Sequence, residues 1–341
     1  MIFRRWLLQG LGLLLALAGG SLFNLLGVPI GWVLGALIAS AVWSNATGIA
    51  ATSPLGRRIG QVLLGSATAA ILTPELLSQM AVVLPLMLLA AILANAVGLA
   101  LTSPFARIAN VDRLTAILSV LPAGLAEMSG LAKELGARSD IVVISHTIRV
   151  SLIVFTLPML AGSSSPLPLP TGGSVYATVV CVVGGFGLAW LVNRFGMLNP
   201  WIVVPVMVGL IFSLIGYRIA PLPPEFLVVA QVLIGASLGT RLSLESISRM
   251  PRILLAASLS TFTLFFALAI MIGPILHWFY DVDCLTAVLA IAPGGLGEML
   301  AAAKAVGANV SLVLGFHLLR SLLTNTAAPL IIKFSTRVPP S

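Results

Sequence analysis

The sequence predicts an all-α transmembrane fold of two tandem repeats with inverted topology, each with about five spans and one broken or re-entrant helix. The prediction rests on an apolar composition, on polar residues that recur at a fixed offset, and on a Pro-Gly motif present once in each half. Of the 341 residues, 59% are hydrophobic and only 8% are charged. A soluble domain carries about 25% charged residues. Several uncharged runs approach the roughly 20 residues with which an α-helix crosses a bilayer.

The apolar runs predict six helical segments in each half of the chain. In the first half they lie near residues 7–23, 26–44, 59–72, 80–102, 114–135 (the broken segment) and 140–161. Their counterparts lie near residues 174–193, 199–216, 226–240, 252–277, 285–306 (broken) and 309–333. We interpret residues 7–23 as a first membrane helix, not a cleaved leader, because they have a counterpart in mid-chain. Segments 59–72 and 226–240 are short and contain Gly, so a re-entrant or tilted course suits them as well as a full span.

The polar residues of the first half recur in the second. An offset of 171 residues, the difference between Glu298 and Glu127, also aligns several other pairs, namely Asp112 with Asp283, Lys133 with Lys304, His146 with His317, and Arg149 with Arg320. Such matches in an apolar background indicate a tandem duplication. The sequence therefore predicts membrane repeat A at residues 1–162, a linker loop rich in Pro, Ser and Gly at 163–173, and membrane repeat B at 174–341.

The loop charges indicate that the two repeats are inverted. Basic residues flank the start, the second loop and the fourth loop of the first half, namely Arg4, Arg5, Arg57, Arg58, Arg107 and Arg113. In the second half they occupy the first and third loops, with Arg218 as a minor exception in a predicted outer loop, while Asp281 and Asp283 occupy the fourth. By the positive-inside rule this places the halves in opposite orientations. We expect a multi-pass protein of the bacterial inner membrane with a cytoplasmic N-terminus.

The formal charge of +8 does not indicate a nucleic-acid partner. Lys and Arg are scattered between apolar runs, as loop residues that set membrane topology are. The expected partners are the lipid bilayer and a small-molecule or ion substrate, with no nucleic acid. A homo-oligomer stays open, because Gly-rich helices offer small-residue packing faces throughout. Cys181 and Cys284 lack a CxxC spacing and predict neither a disulfide framework nor a metal site.

The motifs LPAGLAEM (121–128) and APGGLGEM (292–299) carry the predicted helix breaks. Pro122 and Pro293 each remove a backbone donor, and Gly124 and Gly295 permit a non-helical corner; these four residues are the predicted break residues. Two such breaks in corresponding halves predict a substrate or ion site at the repeat interface.

A Glu follows each of these glycines by three residues. An acidic side chain inside an apolar segment marks a functional site, so Glu127 and Glu298 are candidates to bind a coupling proton or ion. The alternative is structural: each Glu pairs with a nearby Arg or caps its own half-helix. Asp112 and Asp283 precede the broken segments and are interpreted as helix N-caps.

Two further pairs lie in the segment that follows each break. His146 and Arg149, like His317 and Arg320, are spaced i,i+3 and so share one helix face. An intramembrane Arg faces a bundle interior or a water-filled cavity. We expect the arginines to hold an anionic group or counter the glutamates, and the histidines to relay protons or bind substrate. The alternative is that the arginines pair permanently with the glutamates and the histidines donate to backbone carbonyls.

The doubled motif, with its downstream His and Arg, resembles the AbrB/AmoA-like family of duplicated bacterial inner-membrane proteins. Members of that family carry the labels ammonia monooxygenase, regulator of gene expression and transporter. A monooxygenase needs several His and carboxylates at metal-ligand spacing. This chain has three His and no HxxxH, HxH or ExxH pattern. We therefore expect no enzyme activity, no cofactor and no metal site.

The function expected from these residues is ion- or proton-coupled secondary transport of a small anionic solute. The alternative is a membrane sensor or regulator that binds a ligand without net transport and affects gene expression indirectly. A direct transcription factor would need a soluble basic domain, and no soluble stretch is long enough to form one.

Overall fold

The computed structural model describes residues 2–335 except residues 29, 72–73, 162–171, 196, 198, 244, 246–247 and 249. The described part of the chain is helical and contains no strand; Ser174 and Ile219 form an isolated bridge. The first half forms α1 (Ile2–Leu25), α2 (Gly31–Thr47), α3 (Pro54–Ala69), α4 (Pro74–Ala100), α5 (Thr102–Ala109), α6 (Arg113–Val120), α7 (Leu125–Glu134) and α8 (Ser139–Ala161).

The second half begins with α9 (Val175–Val179), which continues through a π-helical turn (Val180–Gly184) into α10 (Gly185–Val192). The remaining helices are α11 (Pro200–Leu214), α12 (Pro224–Gly239), α13 (Pro251–Tyr280), α14 (Cys284–Ile291), α15 (Leu296–Val306) and α16 (Val310–Ser335). Both predicted broken segments are present as separate helices, α6 with α7 and α14 with α15. Residues 163–171 of the predicted linker lie outside the described residues.

Among the described residues, five helical stretches are long and apolar enough to cross a membrane, namely Trp6–Leu25, Met80–Ala109, Ser139–Thr156, Val175–Phe195 and Pro251–Tyr280. The protein is therefore an all-helical, membrane-embedded molecule. The duplication, the inverted topology and the number of about five spans in each half stay predictions.

Local sequence explains how the half-helices begin. The Asp112 carboxylate accepts a hydrogen bond from the Thr115 backbone N at 2.8 Å, and Asp283 caps α14 through Thr286 N at 2.8 Å. Both therefore act as the predicted N-caps. Helix α5 was not anticipated as a separate element: the predicted 80–102 run stops at Ala100, and α5 follows after a one-residue interruption at Leu101. Asn110 ends α5 in the left-handed conformation (φ 53°).

The chain folds into two compact units. The first unit consists of Met1–Val82, Pro158–Arg241 and Leu300–Ser311, and the second of Val83–Leu157, Leu242–Met299 and Leu312–Ser341. Each unit thus takes segments from both halves of the sequence, so the units do not coincide with the predicted repeats at 1–162 and 174–341.

In the first unit, α1 and α2 pack at very short range. A Cβ atom added at Gly35 would overlap the backbone of Gly19, so the glycines allow direct contact between the helix backbones. Helix α12 closes this cluster through Val232 and Ala236, which pack against Ala16 of α1 and Ala36 of α2.

In the second unit, α6 is enclosed on two sides. Ala116 and Val120 pack with Phe105 of α5 and with α13 at Ile253 and Ala256. The opposite side of α6, the first break and α7 pack against the last helix, α16, through the buried cluster Ile117, Leu118, Leu121, Ala123, Met128, Ala132, Val142, Ala328 and Ile332. The first break is therefore part of the core of this unit.

Candidate functional site

Both helix breaks belong to the second unit and have closely similar backbone geometry. Helix α6 ends at Val120, and Leu121 leaves the helix at φ −58° and ψ 132°. Helix α14 ends at Ile291, and Ala292 leaves it at φ −54° and ψ 135°. A half-helix ending inside the protein exposes carbonyl groups without intrahelical donors, and buried carbonyls of this kind need partners.

Arg149 supplies those partners at the first break. Its Nη1 donates to the Leu121 carbonyl at 2.9 Å, and its Nη2 donates to the Ala123 carbonyl at 2.9 Å. Nη2 also donates to Nδ1 of His146 at 2.8 Å. The guanidinium thereby ties helix α8 to the non-helical residues of the break and fixes their backbone.

His146 completes the arrangement from one turn earlier in α8. An arginine can only donate, so Nδ1 of His146 must be the acceptor and the ring proton must lie on Nε2. Nε2 then donates to the Leu118 carbonyl at 2.8 Å. Both nitrogens of this fully buried, neutral histidine are engaged within the protein.

The second break repeats the same contacts. Nη1 and Nη2 of Arg320 donate to the carbonyls of Ala292 (2.7 Å) and Gly294 (2.9 Å). Nη2 also donates to Nδ1 of His317 (3.0 Å), whose Nε2 lies 2.9 Å from the Leu289 carbonyl. Every partner stands 171 residues after its counterpart in the first break. The histidines therefore donate to backbone carbonyls, which is one part of the structural alternative, whereas these hydrogen bonds of the arginines are with backbone carbonyls and histidines and not with the glutamates.

The two glutamates lie over the N-termini of the half-helices that follow the breaks. Gly124 is the N-cap of α7, and a Cβ atom placed there would overlap the carboxylate of Glu127. A Cβ atom at Gly295 would overlap the carboxylate of Glu298 in the same way. A carboxylate in the first turn interacts favourably with the positive end of the helix. Glu298 is buried, whereas Glu127 is partly exposed.

Each buried arginine keeps an unused donor. The Nε groups of Arg149 and Arg320 have no hydrogen-bond partner among the described residues, although the two side chains are only 6% and 7% exposed. Both arginines belong to the second unit, Arg149 on α8 and Arg320 on α16. The second unit therefore contains two buried arginines, each with a free Nε–H group.

The structure adds two polar residues that sequence reasoning missed. Asn95 of α4 is 5% exposed and donates through Nδ2 to the Ala91 carbonyl (2.8 Å) and to Oγ1 of Thr324 in α16 (3.0 Å). Residues 81–94 are apolar throughout, so the amide of Asn95 directly after them could have been recognised in the sequence as a candidate functional residue. Thr324 follows Arg320 by one turn and shares its helix face.

No group of three or more His, Cys, Asp or Glu that could hold a metal ion occurs in the described part of the chain. The site is therefore built from arginine donors, carboxylates and helix ends. Together, the long apolar helices and the paired interrupted helices define the class: an α-helical membrane protein with two broken helices, whose breaks lie in the same compact unit.

The family model described as "Transition state regulatory protein AbrB" matches residues 32–336. The chain belongs to this AbrB family, which confirms the resemblance seen in the motifs. It is 25% identical to the protein YhjN of Bacillus subtilis (strain 168), across 92% of this chain and 89% of that protein. It is also 25% identical to a protein of Escherichia coli (strain K12) named "Putative regulator AbrB", across 92% of each chain.

Proposed function

We propose that the protein is a secondary transporter that couples the movement of a small anionic solute to that of a proton or other cation. The observation that carries the proposal is the pair of buried arginines, Arg149 and Arg320, each beside a helix break and each with a free Nε–H. Substrate sites formed by interrupted helices are a general feature of secondary transporters.

The arginines and the half-helix N-termini favour an anion for the same electrostatic reason. Each buried guanidinium is positively charged and keeps a free Nε–H group, so it would attract an anion and donate a hydrogen bond to it. The N-termini of α7 and α15 add partial positive charge and backbone donors nearby. A small carboxylate is the simplest solute with this chemistry.

Glu127 and Glu298 supply the coupling. Each carboxylate lies over the N-terminus of its half-helix, where it occupies the position that a substrate carboxylate would favour. An arriving anion competes with the glutamate for the positive helix end, and a displaced glutamate in an apolar environment gains from taking up a proton. The histidines are left out of this proton path, because both ring nitrogens of each are already engaged.

The molecular plan proposed with this function is an inverted tandem repeat. The recurrence of the Arg and His contacts at an offset of 171 residues supports the duplication, and the loop charges support the inversion. We place the protein in the bacterial inner membrane with a cytoplasmic N-terminus, about five spans in each repeat and no enzyme activity of its own.

Solid-supported-membrane current on proteoliposomes tests the proposal. Wild-type protein is exposed to a panel of small mono- and dicarboxylates and to pH jumps, beside the double variant Glu127→Gln/Glu298→Gln. The matched control is Glu134→Gln, which removes an exposed carboxylate from the end of α7. We expect a substrate-dependent current in the wild type and the control and none in the double variant. A current that survives in the double variant would contradict the coupling role.

A membrane sensor or regulator is the second candidate, favoured by the regulatory description of the family and of the Escherichia coli relative. In that case the same arginines would hold an anion without moving it across the membrane. Both candidates predict that the panel raises the melting temperature of the purified protein. Only the transporter accumulates labelled substrate inside a sealed vesicle.

A further inference from the structure

The side-chain oxygen of Asn95 is a buried acceptor that the anion site does not use. Asn95 is 95% buried in α4, and its Oδ1 accepts no hydrogen bond from any described residue. An amide oxygen buried without a donor or a cation loses its hydration without compensation. The free Oδ1 of Asn95 therefore indicates a binding site for a ligand that satisfies it.

The orientation of the amide is fixed by its two neighbours. Nδ2 faces the Ala91 carbonyl at 2.8 Å, which can only accept, so the nitrogen and not the oxygen must lie there. The Thr324 hydroxyl is already the donor to the Arg320 carbonyl at 2.7 Å, so it accepts from Nδ2 at 3.0 Å. Exchanging the amide nitrogen and oxygen would break both contacts. Oδ1 is therefore the free atom.

Other neutral oxygens lie around this position. The Thr324 hydroxyl has two lone pairs and uses one of them for Asn95, so one stays available. One turn along α4 from Asn95, Gly98 lies against the end of α6, where a Cβ atom would be 3.3 Å from the Val120 carbonyl oxygen. The carbonyls of Leu118 and Leu121 beside it receive donors from His146 and Arg149. The C-terminal end of a half-helix carries partial negative charge.

We propose that Asn95 Oδ1, Thr324 Oγ1 and the carbonyl end of α6 form a binding site for a sodium ion. Neutral oxygens together with the C-terminal end of an interrupted helix are the ligands that hold sodium in secondary transporters. The proposal rests on the proposed function, and it assigns the coupling ion as Na⁺ in addition to or in place of the proton.

Because Thr324 lies close to Arg320 in α16, a sodium ion at the proposed site and an anion held by Arg320 would attract each other. Thr324 follows Arg320 by one helical turn, about 6 Å along α16, and the Arg320 side chain reaches towards Ala292 and Gly294. The cation and an anion held by Arg320 thus lie near enough to attract. By linkage, each would raise the affinity for the other by the same factor.

The proposed sodium site has no counterpart at the 171-residue offset. That offset places Phe266, an exposed aromatic residue, opposite Asn95, and Ile153 opposite Thr324. The contacts of Arg149 recur at Arg320, whereas those of Asn95 do not recur, so we expect one sodium ion at this site and none at the corresponding position.

The test is thermal unfolding of the purified full-length protein in detergent, titrated with NaCl, KCl or choline chloride at constant ionic strength. We expect a saturable rise in melting temperature with Na⁺ alone, and at least a tenfold increase in the half-saturating Na⁺ concentration in Asn95→Ala and Thr324→Val. Thr324→Val removes the oxygen ligand with little change in shape and decides the question if Asn95→Ala does not fold. The matched control is Asn325→Ala, which loses the same type of i−4 bond, to the Ser321 carbonyl.

Equal stabilisation by the three chlorides, or an unchanged Na⁺ response in both Asn95→Ala and Thr324→Val, would overturn the sodium site. This readout does not depend on transport. A proton-coupled carboxylate current without any Na⁺ response would therefore contradict the sodium site and leave the transporter proposal intact. Na⁺ binding without any carboxylate current would support the sodium site and contradict the transporter proposal.

Discussion

The two arginines have a structural task that leaves one donor of each unused. Arg149 and Arg320 satisfy carbonyls that the helix breaks leave without intrahelical donors, and they do so with the Nη groups alone. The Nε–H of each is left over. A lysine has one ammonium group and cannot bridge two carbonyls and an imidazole in the fixed geometry of a guanidinium fork.

We therefore predict that Arg149→Lys and Arg320→Lys each lower the melting temperature in detergent. Each carbonyl left without a donor costs about 1–3 kcal/mol, and the shift should be smaller for Arg149→Lys because the Leu121 carbonyl keeps a hydrogen bond from the Ala123 backbone N at 2.9 Å. The control is Arg138→Lys, whose guanidinium forms an exposed ion pair with Asp140 at 3.1 Å; its effect should be within about 0.5 kcal/mol. Unchanged melting temperatures in Arg149→Lys and Arg320→Lys would show that the hydrogen bonds from these arginines to the helix breaks do not stabilise the protein.

The capping glycines give a second prediction. Gly124 has φ −70°, so alanine meets no backbone strain there, but its Cβ would displace the Glu127 carboxylate. Gly124→Ala should therefore fold and lose most of the substrate-dependent current. Gly130→Ala, in the same half-helix, meets no atom within 4 Å, and should keep the current and gain about 0.5–1 kcal/mol of stability from helix propensity. Full current in Gly124→Ala would show that the carboxylate position is not needed.

The residues of the candidate site could be predicted from the sequence, but their contacts could not. Glu127, His146 and Arg149 stand out because charged and polar groups are costly in an apolar run. The bonds from Arg149 to Leu121 and Ala123 link positions 28 and 26 residues apart, and no local periodicity encodes such a separation. Asn95 was missed because it lacks a counterpart in the second half.

At the scale of the helix, the breaks are well specified by local sequence. A Pro removes a donor, a Gly caps the following half-helix, and an Asp caps the preceding one, as at Asp112, Pro122 and Gly124. Helix ends followed the apolar runs to within six residues. Helix α5 (Thr102–Ala109) was not predicted as a separate element, because it follows α4 after a single non-helical residue, Leu101.

Close packing of α1 and α2 yields a prediction for a whole element. Gly35 lies directly on the backbone of Gly19, so Gly35→Leu should force the helices apart and cost about 1–3 kcal/mol, measured as a lower melting temperature. Gly10→Leu is the control, because nothing lies within 4 Å of a Cβ atom at Gly10. An equal effect of the two changes would contradict the assigned packing.

For the whole molecule, the sequence suggested two halves, whereas packing forms two units that each draw on both halves. Sequence similarity reports which segments share an origin, while hydrophobic burial decides which segments share a core. The difference arises because burial depends on contacts between distant segments, such as α6 with α13 and α16, that no offset alignment contains.

The inverted topology is tested by labelling. In a Cys284→Ser background, since Cys284 is exposed, the exposed positions Arg107 and Phe279 are changed singly to Cys. In intact spheroplasts an impermeant maleimide should label the Phe279→Cys protein and reach the Arg107→Cys protein only after lysis, because the loop charges place these ends on opposite sides. The Cys284→Ser parent is the control for background labelling. Labelling of both from the same side would contradict the inversion.

We propose that both breaks serve one transport path. The decisive measurement is the substrate-driven current of the two single variants, Glu127→Gln and Glu298→Gln, recorded on proteoliposomes beside Glu134→Gln. We expect each single change to abolish most of the current and Glu134→Gln to retain it. Full current in either single variant, with folded protein in the membrane, would contradict a path that needs both breaks.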